Sequence, residues 1–180
     1  SFGCPLSCSY CASRLLWPEY LRRSALSVLC ETDYQVSLGV KDFAFYDDAL
    51  LLDKEKYFYP LCRELRSRYE DDLSFHTPNG LHVREIDEEC AMTLKGAGFR
   101  TIRLSLESID PKIAGAGSGK VAREEYIKAV GHLLDAGYSR NDCETYILLG
   151  LPGQDIVSVK DTIDFVHAAG GKPKLAEFSP

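Results

Sequence analysis

Arg100-Thr101-Ile102-Arg103-Leu104-Ser105-Leu106-Glu107 alternates strictly, with Ile102, Leu104 and Leu106 on one face and Arg103, Ser105 and Glu107 on the other. A period of two is the signature of a β-strand with one apolar and one polar face. Upstream, Asp87 is placed to cap a helix that turns Cys90, Ala91 and Leu94 inward and closes at Gly96 and Gly98. Downstream, Tyr126, Ile127, Val130, Leu133 and Leu134 form a helical stripe that ends at Gly137. A strand lying between two helices, rather than beside another strand, points to a β-α-β arrangement.

The same alternation extends in both directions. Residues 41–47 and 73–77 read as strands before it, and residues 143–149 and 175–178 as strands after it. Between them, Ser24 caps a helix with Leu26, Leu29 and Val36 at helical spacing, ending at Gly39. Cys30 falls beside that stripe, where a free cysteine packs as a small hydrophobe. A second helix is expected from about residue 53, with Phe58, Leu61, Cys62 and Leu65, and Pro60 either kinks it or delays its start. Ile156, Val159, Ile163 and Val166 make a further helix, while Pro78-Asn79-Gly80 and Gly150-Leu151-Pro152-Gly153 end strands. Strands alternating with helices of this length predict an α/β fold built on a parallel sheet.

If the sheet curls into a barrel, its outer face packs under helices and its inner face lines the lumen. Ile102, Leu104 and Leu106 then face the helices, and Arg103, Ser105 and Glu107 face inward. Inward polar groups either hold a ligand or fill the space as an Arg103–Glu107 pair. Glu107 is nearest the C-terminal end of its strand, where barrel sites gather. His76 reads as a barrel-wall histidine. The glycine-rich run 115–119 lacks the pattern of a phosphate loop, and Lys120 and Arg123 beyond it either supply a cation to a bound carboxylate or form a solvated face.

Composition sets the frame. The 180 residues, 45% of them apolar, suffice for one core, so residues 1–180 read as one domain. A net charge of −6 without a basic run gives no nucleic-acid footprint in this segment. No apolar run is long enough to span a bilayer, and no signal peptide is evident, so no membrane role is expected. Seven cysteines, an odd number, fit a reducing, cytoplasmic setting better than a disulfide framework. The absent initiator Met and the abrupt ends suggest a core taken from a longer protein.

The chemistry is concentrated at the start, in Cys4-Pro5-Leu6-Ser7-Cys8-Ser9-Tyr10-Cys11. A structural zinc site takes four protein ligands, often as paired C-x2-C units, and Cys30, Cys62, Cys90 and Cys143 are scattered singly. An iron–sulfur cube normally takes a cysteine thiolate at each of four irons. Three local thiolates would leave one iron open.

This C-x3-C-x2-C spacing with an aromatic residue before the last cysteine resembles the radical S-adenosylmethionine (radical SAM) superfamily. The resemblance implies a partial (β/α)6 TIM-like barrel of parallel strands, lacking its first strand, which would precede Ser1. It implies that Cys4, Cys8 and Cys11 hold a [4Fe-4S] cluster, with S-adenosylmethionine on the open iron and Tyr10 near the adenine. Reductive cleavage would yield methionine and a 5′-deoxyadenosyl radical that abstracts hydrogen from an unknown substrate. Where many members carry Gly-Gly-Glu to hold the methionyl amine, this chain has Tyr46-Asp47-Asp48-Ala49, so that role falls to Asp47 or Asp48, whose alternative is a solvated strand end. Ser105 and Glu107 match positions facing the ribose or methionyl portion. Gly150 matches a backbone approach to the adenine or is simply a strand-ending turn. Asn79 either reaches the cofactor or serves its own turn.

The phrasing of residues 1–13, 45–48 and 104–108 resembles the branch often fused to cobalamin-binding domains. That implies, as an alternative, a cobalamin-dependent methyltransferase or a methylthiotransferase, with cobalamin held by a domain outside this chain. An electron donor such as flavodoxin or ferredoxin is the implied partner. The remaining alternatives are a non-catalytic iron–sulfur carrier or a zinc-binding module, and the polar inward face favours the enzyme.

Overall fold

Six parallel strands form one sheet in the computed structural model, which describes residues 1–8, 10–114 and 121–178. They are β1 (Asp42–Ala44), β2 (Ser74–His76), β3 (Leu81–His82), β4 (Phe99–Glu107), β5 (Cys143–Leu149) and β6 (Lys172–Glu177). Their order in space is β1-β2-β4-β5-β6, with β3 following β2 along the same edge of β4. The helices are α1 (Ser13–Leu16), α2 (Ala25–Ser37), α3 (Phe58–Tyr69), α4 (Glu88–Gly96), α5 (Pro111–Ala114), α6 (Arg123–Asp135) and α7 (Ile156–Ala168). Among the described residues β1 and β6 each pair on one side only, so the sheet is an open arc of the expected barrel. The glycine-rich run 115–119 and Lys120 lie outside the described residues.

The alternation in β4 sorts its side chains as expected. Ile102 and Leu104 are fully buried and Leu106 nearly so, whereas Arg103, Ser105 and Glu107 each keep part of their surface exposed. Cys90, Ala91 and Leu94 of α4 and Tyr126, Val130 and Leu133 of α6 complete this layer. Each fully buried Leu, Ile or Val contributes about 1.5–3 kcal/mol. Towards β1 the core is aromatic: Phe99 stacks on Phe75 and Phe58 at centroid distances of 5.4 and 5.6 Å. Ser24, Asp87 and Asp155 cap α2, α4 and α7, accepting from backbone amides of Ser27, Cys90 and Ser158 at 3.2, 2.8 and 2.7 Å.

Several boundaries differ from the sequence reading, each for an identifiable reason. β1 spans three residues rather than seven, because after Ala44 the chain leaves the sheet and carries Asp47 and Asp48 towards the N-terminal loop. α3 starts at Phe58, which puts Pro60 in the first turn, where its missing N–H has no helical partner to lose. β6 starts at Lys172 and includes Pro173, tolerable on a strand that pairs on one side. Cys30 is exposed, not packed: α2 turns Leu29 and Thr32 inward, and Cys30 is about 100° further round the helix. Leu26, Ile127 and Leu134 are likewise exposed, one step off the inward lines of α2 and α6.

Candidate active site

The N-terminal loop is tied to the turn after β1. The Gly3 amide donates to Asp48 Oδ2 at 2.8 Å, and Gly3 has φ +74°. A β-carbon there would meet the Glu19 carbonyl oxygen at 2.6 Å, so the loop entry needs glycine for both its conformation and its space. Phe2 bridges Leu21 in antiparallel fashion and stacks on Trp17 at 5.1 Å. Further on, the Cys11 amide donates to the Cys8 carbonyl at 3.1 Å, which folds the cysteine segment back on itself.

Cys4, Cys8 and Cys11 line one cavity of about 220 Å3 together with Tyr10 and Asp48. None of the three is in a disulfide. Burial pushes the Cys4 thiol up, a backbone hydrogen bond from Leu6 opposes this, and Cys8, Cys11 and Asp48 push it up further. Such crowding of groups that become anionic is what a bound cation or metal cluster relieves. Among the described residues no three His, Cys, Asp or Glu side chains converge on a single metal position. A [4Fe-4S] cube takes one thiolate at each iron rather than several on one ion, and three cysteines lining one cavity are the donor type it requires.

The cavity is also lined by Gly80, by Leu81 and His82 of β3, and by Ser105 and Glu107 of β4. The sheet register sets Leu81 beside Leu104 and His82 beside Ser105. A β-carbon on Gly80 would fall 2.1 Å from Ser105 Oγ, so glycine is what lets this turn lie against β4. β4 shifts register between Ser105 and Glu107, and Glu107 has φ +60°, a left-handed conformation that costs a residue with a side chain about 1–2 kcal/mol. Backbone strain of this kind gathers at functional sites. The Glu107 carboxyl is pushed up to about 7 by burial, which outweighs hydrogen bonds donated by Ser105 and Tyr10. Burial, followed by the charge of Glu107 and Cys8, drives the Tyr10 phenol well above its ordinary range. A carboxyl near 7 can hold or release a proton at neutral pH.

Of the ten residues singled out from sequence, Cys4, Cys8, Tyr10, Cys11, Asp48, Ser105 and Glu107 meet at this cavity. The other three lie outside its wall. The Asp47 carbonyl accepts from Asn79 Nδ2 at 3.3 Å. Gly150 has φ +84° and donates to Gln154 Oε1 at 2.9 Å within its own turn. No Arg103–Glu107 pair forms: Arg103 Nε donates to Glu144 Oε2 at 2.9 Å. His76 sets Nδ1 3.0 Å from Thr101 Oγ1, a wall position as expected.

Sequence reasoning missed His82 and Glu85, which also line the cavity. Among the described residues His82 Nδ1 is buried without a hydrogen-bond partner, and burial lowers the imidazole's pKa. Two-residue β3 is too short to show a period, and only its register against Ser105 could have marked His82.

A parallel α/β sheet whose strand ends, together with a cysteine-bearing loop, line one cavity has the architecture of a TIM-like barrel segment. The chain belongs to the radical SAM superfamily, whose family model matches residues 1–166. An uncharacterized methyltransferase of Pyrococcus horikoshii is 25% identical over 168 residues, 92% of this chain and 35% of the relative. Cytidylyl-2-hydroxyethylphosphonate methyltransferase of Streptomyces wedmorensis is 22% identical, over 94% of this chain and 32% of its own length. The chain thus spans about a third of the length of these curated relatives. In fold it is similar to the radical S-adenosylmethionine methyltransferase TsrM of Kitasatospora setae, solved with cobalamin and a [4Fe-4S] cluster. The TM-score is 0.80 at 22% identity, over 97% of this chain and 35% of that one. Methylornithine synthase is similar at a TM-score of 0.71 and 17% identity, over 100% of this chain and 52% of that one. Among the described residues no helix is long and apolar enough to cross a membrane.

Proposed function

We propose that this chain holds a [4Fe-4S] cluster through Cys4, Cys8 and Cys11 and S-adenosylmethionine in the adjoining cavity. Together the two groups supply reductive carbon–sulfur cleavage, giving methionine and a 5′-deoxyadenosyl radical for hydrogen abstraction from a substrate. The observation that carries the proposal is the meeting of the three thiols with the Glu107–Tyr10–Ser105 group around one cavity. Asp48 fixes the entry of the cysteine loop through the Gly3 amide and offers a carboxylate for the methionyl amine. Glu107 accepts hydrogen bonds from Ser105 and Tyr10, which orient it as a receptor for a cofactor hydroxyl or ammonium. In this proposal Asp47 and Asn79 support the Asp48 turn, and Gly150 serves the adenine side.

A second reading is methyl transfer with cobalamin from a domain outside this chain. It is favoured by the two curated relatives, both named methyltransferases. Either reaction needs an electron donor such as flavodoxin or ferredoxin. Anaerobic reconstitution of the full-length protein with iron and sulfide is the test. Wild type should take up iron with acid-labile sulfide and release 5′-deoxyadenosine on reduction, and Cys8→Ala should do neither. Equal iron in both proteins, or zinc without sulfide, refutes the proposal. A methylated product that carries the cofactor's methyl group selects the second reading.

A further inference from the structure

The inward face of β4, β5 and β6 carries a charge arrangement that the cofactor cavity does not use. One carboxylate, Glu144, is approached by three cations: Arg103 Nε at 2.9 Å, Lys174 Nζ at 3.1 Å and Lys172 Nζ at 3.4 Å. The register places Arg103, Glu144 and Lys172 in one row across the sheet. Ser105, Tyr146 and Lys174 form the next row on the same face. Ser105 lines the cavity, so Lys174 stands two strand spacings, about 10 Å, from the cavity wall. Glu144 is 14% exposed, Arg103 25%, Lys174 37% and Lys172 45%, so the carboxylate is sequestered while the lysines remain reachable.

The balance of charge is what calls for a ligand. A single carboxylate offsets one of three positive charges, leaving a local surplus in a chain whose net charge is −6. Like charges this close repel unless a further anion joins them. Two more contacts hold the group rigid: Arg103 Nη1 donates to the Pro78 carbonyl at 3.2 Å, and Tyr146 donates to the same oxygen at 2.9 Å. A competing account is that Lys172 and Lys174 only guard β6 as an edge strand against pairing with other chains.

We propose that Lys172, Lys174 and Arg103 bind an oxyanion of the substrate, a carboxylate or a phosphate or phosphonate group. This assignment rests on the cofactor reading for its meaning as a substrate site. Glu144 holds the cations apart and in place, and the bound anion completes the charge balance. The substrate is then anionic at one end, anchored on the β5–β6 side, with its reacting part extending towards the cavity.

The test titrates full-length, cluster-reconstituted protein with methylphosphonate and, in a separate arm, acetate, using calorimetry at fixed ionic strength. Saturable binding of either probe is expected in the wild type. K172A/K174A should weaken it about tenfold or more, and Lys128→Ala, on an exposed face of α6, should leave it unchanged. Glu144→Gln should tighten binding several-fold, a gain that misfolding cannot produce. The tighter probe distinguishes a carboxylate from a phosphonate. Absence of saturable binding in the wild type, or unchanged affinity in both K172A/K174A and Glu144→Gln, overturns the inference in favour of edge protection. S-adenosylmethionine binding by the same wild-type sample is measured in parallel. Cofactor binding without anion binding overturns this inference alone, whereas failure to bind the cofactor overturns the proposed function.

Discussion

Replacing Glu107 by Gln should make the cluster-free protein more stable at high pH and leave it nearly unchanged at low pH. The glutamate carboxyl sits at about 7 in the folded chain against an ordinary 4.5, because its burial outweighs the hydrogen bonds from Ser105 and Tyr10. Below pH 4.5 the group is protonated in both folded and unfolded states, and folding carries no penalty from it. As pH rises from there, the unfolded chain releases the proton while the folded chain keeps it, so stability falls until pH passes about 7. At about 1.4 kcal/mol per pH unit, the gap between 4.5 and about 7 corresponds to roughly 3 kcal/mol. Glutamine imitates the protonated carboxyl and removes this loss. In a chain of this size that amounts to roughly 6–12 °C in Tm. Urea and thermal unfolding of both proteins at pH 4.5 and pH 8 measure it. An advantage for Glu107→Gln that is the same at both pH values, or a variant less stable than wild type at pH 8, would refute the reasoning.

Gly80→Ala should destabilise the protein by about 1–3 kcal/mol, since its β-carbon would lie 2.1 Å from Ser105 Oγ. Adding Ser105→Ala should recover part of that loss, and a double-mutant cycle by urea unfolding reads the coupling. Asp87 both caps α4 and meets Lys54, whose side chain is 7% exposed and whose Nζ also donates to the Glu85 carbonyl at 2.6 Å. Asp87→Ala should therefore cost about 2–4 kcal/mol, while Asp87→Asn, which keeps the cap, should cost less. Equal losses for the two Asp87 variants in chemical denaturation would remove the ion pair from the account.

The alternation of β4 and the caps at Ser24 and Asp87 were legible because they are local: the period of two and the capping oxygens act within a few residues. The cysteine spacing was legible for the same reason, since C-x3-C-x2-C within one loop needs no tertiary contact to bring the thiols together. Core membership near the helix flanks was less so. Cys30, Ile127 and Leu134 are apolar and close to the right phase, but the side from which a neighbouring layer covers a helix selects one line of residues over the next.

By itself, then, the sequence determined the parallel α/β arrangement, the three-thiol loop and the outward and inward faces of β4. Each follows from a short-range period or spacing. Only the tertiary structure decided that Asp48 rather than Asp47 lines the cavity, because the short β1 lets the following turn carry Asp48 to the Gly3 amide. It likewise decided that Arg103 pairs with Glu144 rather than Glu107, because neighbouring strands in register bring residues 41 positions apart into contact. The raised carboxyl of Glu107 depends on burial beneath a loop almost a hundred residues upstream, and no pattern along the chain encodes that depth.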